Sequence, residues 1–258
     1  MTNAPQPTSA DFGDISFRNV LLICIALYVL LMAAALALPH ELLWQGGARH
    51  PVTGEPNWEF GLAETSQNIF LAIALIMAGI MCARAPGLLL KLWLGVVFLG
   101  VLYLLGEETS WGQHYFRWGV GGWFAENNDQ AETNLHNTSA LFDQLPRNLL
   151  YVGMVLGAIA HPLVKIVRKG RGILDNPWWW APTIVSLPPA VFAFIAGAPK
   201  ALDKTLTGLG VEAWTSGFRL ETFVGRASEM EECFMYLFFI IYLLSLGARL
   251  RARAALQH

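Results

Sequence analysis

The sequence predicts an all-α fold, a six-span transmembrane helical bundle with long outer-face loops, and three observations predict it. Of 258 residues, 55% are hydrophobic and 14% charged, a balance too apolar for a soluble domain of this size. Apolar runs near the roughly 20 residues needed to cross a bilayer recur along the chain. Lysine and arginine collect in alternate short loops, the pattern of segments retained in the cytoplasm.

The runs cover residues 20–38, 68–83, 88–105, 149–167, 178–196 and 232–246. The first is preceded by Asp11 and Asp14 against a single Arg18, and its apolar stretch is longer than a signal core, so it reads as an uncleaved anchor. The fifth carries Pro188 and Pro189; each removes a backbone donor and collides with the preceding turn, which predicts a bend there. The sixth follows directly on Ser228, Glu229, Met230, Glu231 and Glu232. Ser228 and Glu231 have capping-box spacing, and acids in a first turn complement the helix N-terminus. Residues 1–18 read as a disordered cytoplasmic tail and 19–258 as a single transmembrane domain. Cys24, Cys82 and Cys233 lie in or beside spans without CxxC spacing, so no disulfide framework is implied.

Placing both termini in the cytoplasm puts Arg18, Arg84, Lys91, Lys165, Arg168, Lys169, Arg171, Arg249, Arg251 and Arg253 inside, with only Asp11, Asp14 and Asp175 among the acids. The outer side then holds 16 of the 19 acidic residues. Three outer segments are long, 39–67, 106–148 and 197–231, and carry Trp44, Trp58, Trp111, Trp118, Trp123 and Trp214. Indoles favour the headgroup layer, so these segments are expected at the outer interface, with Trp178, Trp179 and Trp180 forming a belt at the inner one.

The densest chemistry is Gly106-Glu107-Glu108-Thr109-Ser110-Trp111-Gly112-Gln113-His114. Paired carboxylates after an apolar run lie at the lipid boundary, where ionised groups are costly unless paired or bound to a cation. A continuing helix would put Glu107, Trp111 and His114 on one face. In Glu132-Thr133-Asn134-Leu135-His136-Asn137, a helix would align Glu132 with His136 four residues on, a spacing able to hold a metal or orient the imidazole. Glu229 and Glu232 share a stripe at the start of the last span.

The string GEETSWGQ at 106–113, followed by ETNLHN at 132–137, resembles a pattern of uncharacterised bacterial multi-pass membrane proteins, and the likeness implies architecture without an activity. More loosely, carboxylates and histidines at helix ends are similar in kind to two sets of intramembrane hydrolases. These are the alkaline-ceramidase-like proteins, with three histidines on a metal plus an acid and a serine, and the prenyl-protein-processing and bacteriocin-immunity proteases, with a paired Glu followed by Arg, then separate histidines and an Asn. The chain departs from both patterns: Gly112 stands at the Arg position, and the only outer-face histidines besides His114 and His136 are His40 and His50.

The resulting expectation is a Glu/His site at the outer, periplasmic face of a bacterial inner membrane, serving a metal-assisted or acid-base hydrolase or transferase on a lipid or lipid-linked substrate. Glu107, Glu108, His114 and His136 are the expected catalytic residues; Trp111, Gln113, Asn134 and Asn137 are expected to bind substrate. Glu108, His136, Glu229 and Glu232 are the expected ligands of a divalent metal. An ion-coupled transporter and a non-catalytic membrane scaffold or partner subunit are the alternatives. Membrane lipid is the expected partner, and no nucleic acid. The chain lacks GxSxG, Walker-type and HExxH strings, which removes the serine-hydrolase, nucleotide-binding and zincin readings that those motifs would support.

Overall fold

Backbone amides and carbonyls have no water to bond in hydrocarbon, so an apolar chain satisfies them within helices. Among the described residues, six helices are long and apolar enough to cross a membrane: Phe17–Ala37, Leu62–Arg84, Leu88–Glu108, Gln144–Val167, Ile184–Gly208 and Ala227–Ala255, the first to sixth spans. The structure, a computed structural model, describes residues 13–45, 49–50, 52–54, 60–173 and 180–256. Most of the expected tail, together with Trp58, Trp178 and Trp179, lies outside the described residues.

The sixth span is the central post, with 72% of its most apolar window buried against 17% for the first span. Apolar residues all round a helix mark a core position, and here Phe234, Met235, Leu243 and Leu246 are enclosed by the second and fifth spans. The second span packs in turn on the third. The first span leaves Leu22, Val29, Leu30 and Leu36 facing outward, as suits a helix bathed in lipid.

Three expected boundaries move, each for a physical reason. The second span begins at Leu62 rather than residue 68, because the sixth span supplies partners for its polar first turns: the Gln67 amide donates to the Glu229 carbonyl at 2.9 Å. In the fifth span the expected bend is absent. A 3-10 turn at Ile184–Ser186 leads into a helix at Leu187, so Pro188 and Pro189 sit in its first turn, where their missing donors leave no gap. The span therefore runs over 184–208 rather than 178–196. The sixth begins at Ala227 with Arg226 as N-cap and no side-chain cap bond, so the expected capping box does not form; Glu229 and Glu231 turn into the bundle instead.

A helix at Ala140–Met154 leads into the fourth span and is capped by Ser139, whose hydroxyl accepts from the Phe142 amide. A π-helical turn at Val155–Ala160 precedes Pro162, and the extra residue in that turn makes room for the proline ring.

An even number of spans returns the chain to the side where it began. Gly13 lies so close to the last helix that a Cβ added to it would stand 2.2 Å from the Ala252 Cβ. At the same end Thr183 donates to Asp14 and meets Ser245 at 3.4 Å, and Tyr242 donates to the Trp180 carbonyl at 2.8 Å while accepting from Trp93 at 2.6 Å. The opposite end carries the carboxylates. There Trp44, expected at the interface, is buried, because Gly61 and Gly225 let the chain close over it.

Candidate active site at the carboxylate-rich end

The third span stops at Glu108 because the next residues cannot continue it. Ser110, Trp111 and Gly112 all have positive φ, 45°, 55° and 100°, so the chain reverses in a left-handed turn. Non-glycine residues there cost on the order of 1–2 kcal/mol each, and side chains hold the turn closed. Thr109 Oγ1 donates to the Leu105 carbonyl at 2.7 Å, Trp111 Nε1 to Glu107 Oε1 at 2.9 Å, and Thr133 Oγ1 to the Ser110 carbonyl at 2.7 Å. Gly106 is required beneath the Trp111 ring, since a Cβ would come within 2.8 Å of it.

This reversal separates the two halves of the motif. Glu107 and Glu108 stay on the helix and line a cavity of about 620 Å³, together with Glu64, Glu229 and Glu232. His136, Arg147, Lys200 and Arg226 supply the opposite sign, and His40 also lines the space. Glu107 Oε2 accepts the amides of Leu135 and His136 at 2.7 and 2.8 Å, and His136 Nδ1 stands 3.5 Å from the same oxygen. Burial by itself would lower the His136 pKa, but the Glu107 bond and the charges of Glu108, Glu107 and Glu132 outweigh it and hold the imidazole above its usual value. Glu108 Oε1 accepts from the Tyr236 hydroxyl at 2.6 Å.

The four expected metal ligands thus line one cavity but do not meet at a point. Glu232 is paired with Arg147, and Glu229 with Arg226 at 2.7 Å while it also accepts from Gln67 at 3.2 Å. Glu108 and His136 are held by Tyr236 and Glu107 as described. Glu231 accepts from the Tyr151 hydroxyl.

The other half of the motif enters a separate, closed nest. His114 and Glu132 are brought together there with Ser110 and His50, all buried. Ser110 Oγ lies 2.8 Å from His114 Nε2 and 3.0 Å from Glu132 Oε2. The same carboxylate oxygen accepts from Asn134 at 2.6 Å and Asn137 at 3.0 Å. Its other oxygen, Oε1, stands 3.6 Å from both His50 Nε2 and His114 Nε2. Burial lowers the His114 pKa; the Glu132 charge opposes this, and His50 and His136 add to it.

Expected pairings therefore change. Glu132 and His136 do not share a helical face, because Ala131 adopts φ 57° and residues 132–135 are non-helical; the two side chains enter different sites. His114 does not join Glu107 on a helix face, since the reversal at 110–112 intervenes. Gln113 and Asn134, expected at the substrate, are fully buried. Gln113 Oε1 accepts the Thr133 amide at 2.7 Å, and Asn134 donates to Ser110 and Glu132, so both brace the loop. Asn137 does line the cavity, whereas Trp111 is half exposed and is not among its lining residues.

Sequence reasoning passed over His50, Ser110, Tyr236 and Arg226 as site members. A buried tyrosine in an apolar run gives no periodic signal, and His50 reaches its partners from 64 and 82 residues away along the chain. Ser110 had one available sign, its place inside the densest polar string. In comparisons with protein-family models, curated proteins and solved structures, the chain matches none, and the chemistry of the site rests on its own residues.

Proposed function

We propose that this chain is a hydrolase or transferase working by general acid-base chemistry on a lipid or lipid-linked substrate, at the outer, periplasmic leaflet of a bacterial inner membrane. The observation that carries the reading is His136, partly exposed to the cavity and held by Glu107, with Glu108 lining the same space. Glu107 fixes the ring and favours its charged form. His136 then donates a proton to the leaving oxygen, while Glu108 takes one from the attacking water or acceptor hydroxyl. The bond to the leaving group breaks as the new bond forms, and exchange with solvent restores both groups. Positioned proton transfer of this kind is worth roughly 10²–10⁴-fold in rate.

The cations of the cavity suit an anionic headgroup, with Lys200 the one that needs no rearrangement. Arg147 and Arg226 are engaged with Glu232 and Glu229, whereas Lys200 lines the space without an ion pair among the described residues. The exposed rings of Trp111, Trp118 and Trp123 match the headgroup layer. The outer orientation is supported by the basic loops of the opposite end.

The test is a product search. Purified protein in nanodiscs made from a total bacterial lipid extract is incubated and analysed by mass spectrometry, beside His136→Gln and Glu108→Gln. A lipid species that changes with the wild type and not with either variant supports the reading. Identical lipid profiles for all three would end it.

A further inference from the structure

The nest around Glu132 is not part of the cavity, and its geometry carries its own conclusion. We propose that His50 Nε2, His114 Nε2 and Glu132 Oε1 bind one divalent transition-metal ion of the zinc type, as a closed structural site that staples His50 and its neighbours Val52 and Thr53 to the turn after the third span. These three donor atoms lie within 4.8 Å of one another, the one such grouping among the described residues.

The carboxylate is already aimed. Glu132 Oε2 accepts from Ser110, Asn134 and Asn137, which leaves Oε1 facing the two imidazoles and no other donor among the described residues. Outer partners that fix a ligand's orientation are a regular part of metal sites. The spacing also discriminates. At 3.6 Å from each Nε2, Oε1 is beyond the roughly 2.7–3.2 Å of a direct hydrogen bond. Two donors each about 2.1 Å from a shared ion, and 3.6 Å apart, subtend about 118°, close to tetrahedral.

His50 supplies an independent sign. Its side chain is 7% exposed, and Nε2 is buried with no hydrogen-bond partner. An unsatisfied buried nitrogen costs on the order of 1–3 kcal/mol, and metal ligation would satisfy it. Two histidines and one carboxylate form a zinc-type donor set, and the buried Ser110 Oγ, 2.8 Å from His114 Nε2, would close the fourth position. All of these groups are buried, as in structural rather than substrate-accessible sites.

Loading has a cost at each imidazole. His50 Nδ1 accepts the amides of Val52 and Thr53 at 3.3 and 3.2 Å, and coordination through Nε2 moves the ring proton to Nδ1. Both of those residues are exposed, so water can take over their amides. Ser110 directs its proton at Glu132 Oε2, so the imidazole donates the 2.8 Å bond between His114 Nε2 and Ser110 Oγ, and loading moves that ring proton to Nδ1 as well.

The experiment reads metal, not turnover, so its result is independent of the acid-base reading. Detergent-purified full chain is stripped with chelator, titrated with Co²⁺ and then with Zn²⁺, and followed by visible absorption, elemental analysis and thermal unfolding. The expected wild-type result is one ion per chain, a tetrahedral Co²⁺ spectrum that Zn²⁺ abolishes, and a higher unfolding temperature on loading. His50→Ala should weaken binding by at least about 100-fold, the upper end of what an outer partner alone contributes. His50→Cys should restore it with a thiolate charge-transfer band, and His136→Gln should bind as the wild type does. Absence of the Co²⁺ spectrum in folded wild type, or equal affinity in folded His50→Ala, would overturn the proposal.

Discussion

His136 Nδ1 lies 3.5 Å from Glu107 Oε2, the same oxygen that receives the backbone amides of Leu135 and His136. One carboxylate in the last turn of a transmembrane helix thus closes the loop that returns to it and favours the charged form of the histidine in the cavity.

The first prediction concerns that charge. His136 is held above the ordinary histidine value of 6.5, so the stability drawn from its pairing is complete below pH 6.5 and is lost as pH rises through the raised value. Glu107→Gln should bring the titration of His136 downward. NMR of isotopically labelled histidine in nanodiscs reads both; an unshifted midpoint in the variant would contradict the pairing.

A second prediction rests on close backbone approach. A Cβ on Gly61 would stand 2.6 Å from the Leu43 carbonyl oxygen and from the Trp44 carbonyl carbon, backbone that cannot swing aside. Gly61→Ala should therefore destabilise the chain by about 2 kcal/mol, within the range for overpacked sites, and increase the exposure of Trp44. Thermal unfolding and tryptophan fluorescence in detergent measure the two effects.

The Arg147–Glu232 pair is partly buried, with side chains 29% and 18% exposed. Removing one partner leaves the other charge uncompensated, whereas removing both is milder. Glu232→Gln should cost about 1–2 kcal/mol, discounted for the exposure, and Arg147→Met added to it should recover part of the loss. A double-mutant cycle of unfolding free energies is the measurement.

Orientation is the fourth prediction. Arg171 and Asn127 are exposed at opposite ends of the bundle. With Arg171 cytoplasmic, a membrane-impermeant maleimide added to intact cells should label Asn127→Cys and spare Arg171→Cys. The reverse pattern would invert the topology.

Much of the architecture was legible because the relevant forces are local and additive. A stretch from 88 to 105 needs only its own apolar residues to become a span, and Arg168, Lys169 and Arg171 need no tertiary partner to mark an end. For the same reason the acids of the third and sixth spans could be assigned to one end of the bundle. Pro188 and Pro189 were misread because proline signals a bend or a start equally well, and only the non-helical approach at 180–183 decided between them.

By itself, then, the sequence determined a multi-pass helical membrane protein with carboxylates and histidines gathered at one end. Tertiary structure alone decided how those groups are divided. Three consecutive left-handed residues at 110–112 turn Ser110 and His114 away from Glu107 and Glu108, and a loop far back along the chain brings His50 to them. Hydropathy and charge sum along a segment, so they can be read from composition. Side-chain direction depends on a backbone reversal and on contacts between residues distant in sequence, which neither helical periodicity nor composition encodes.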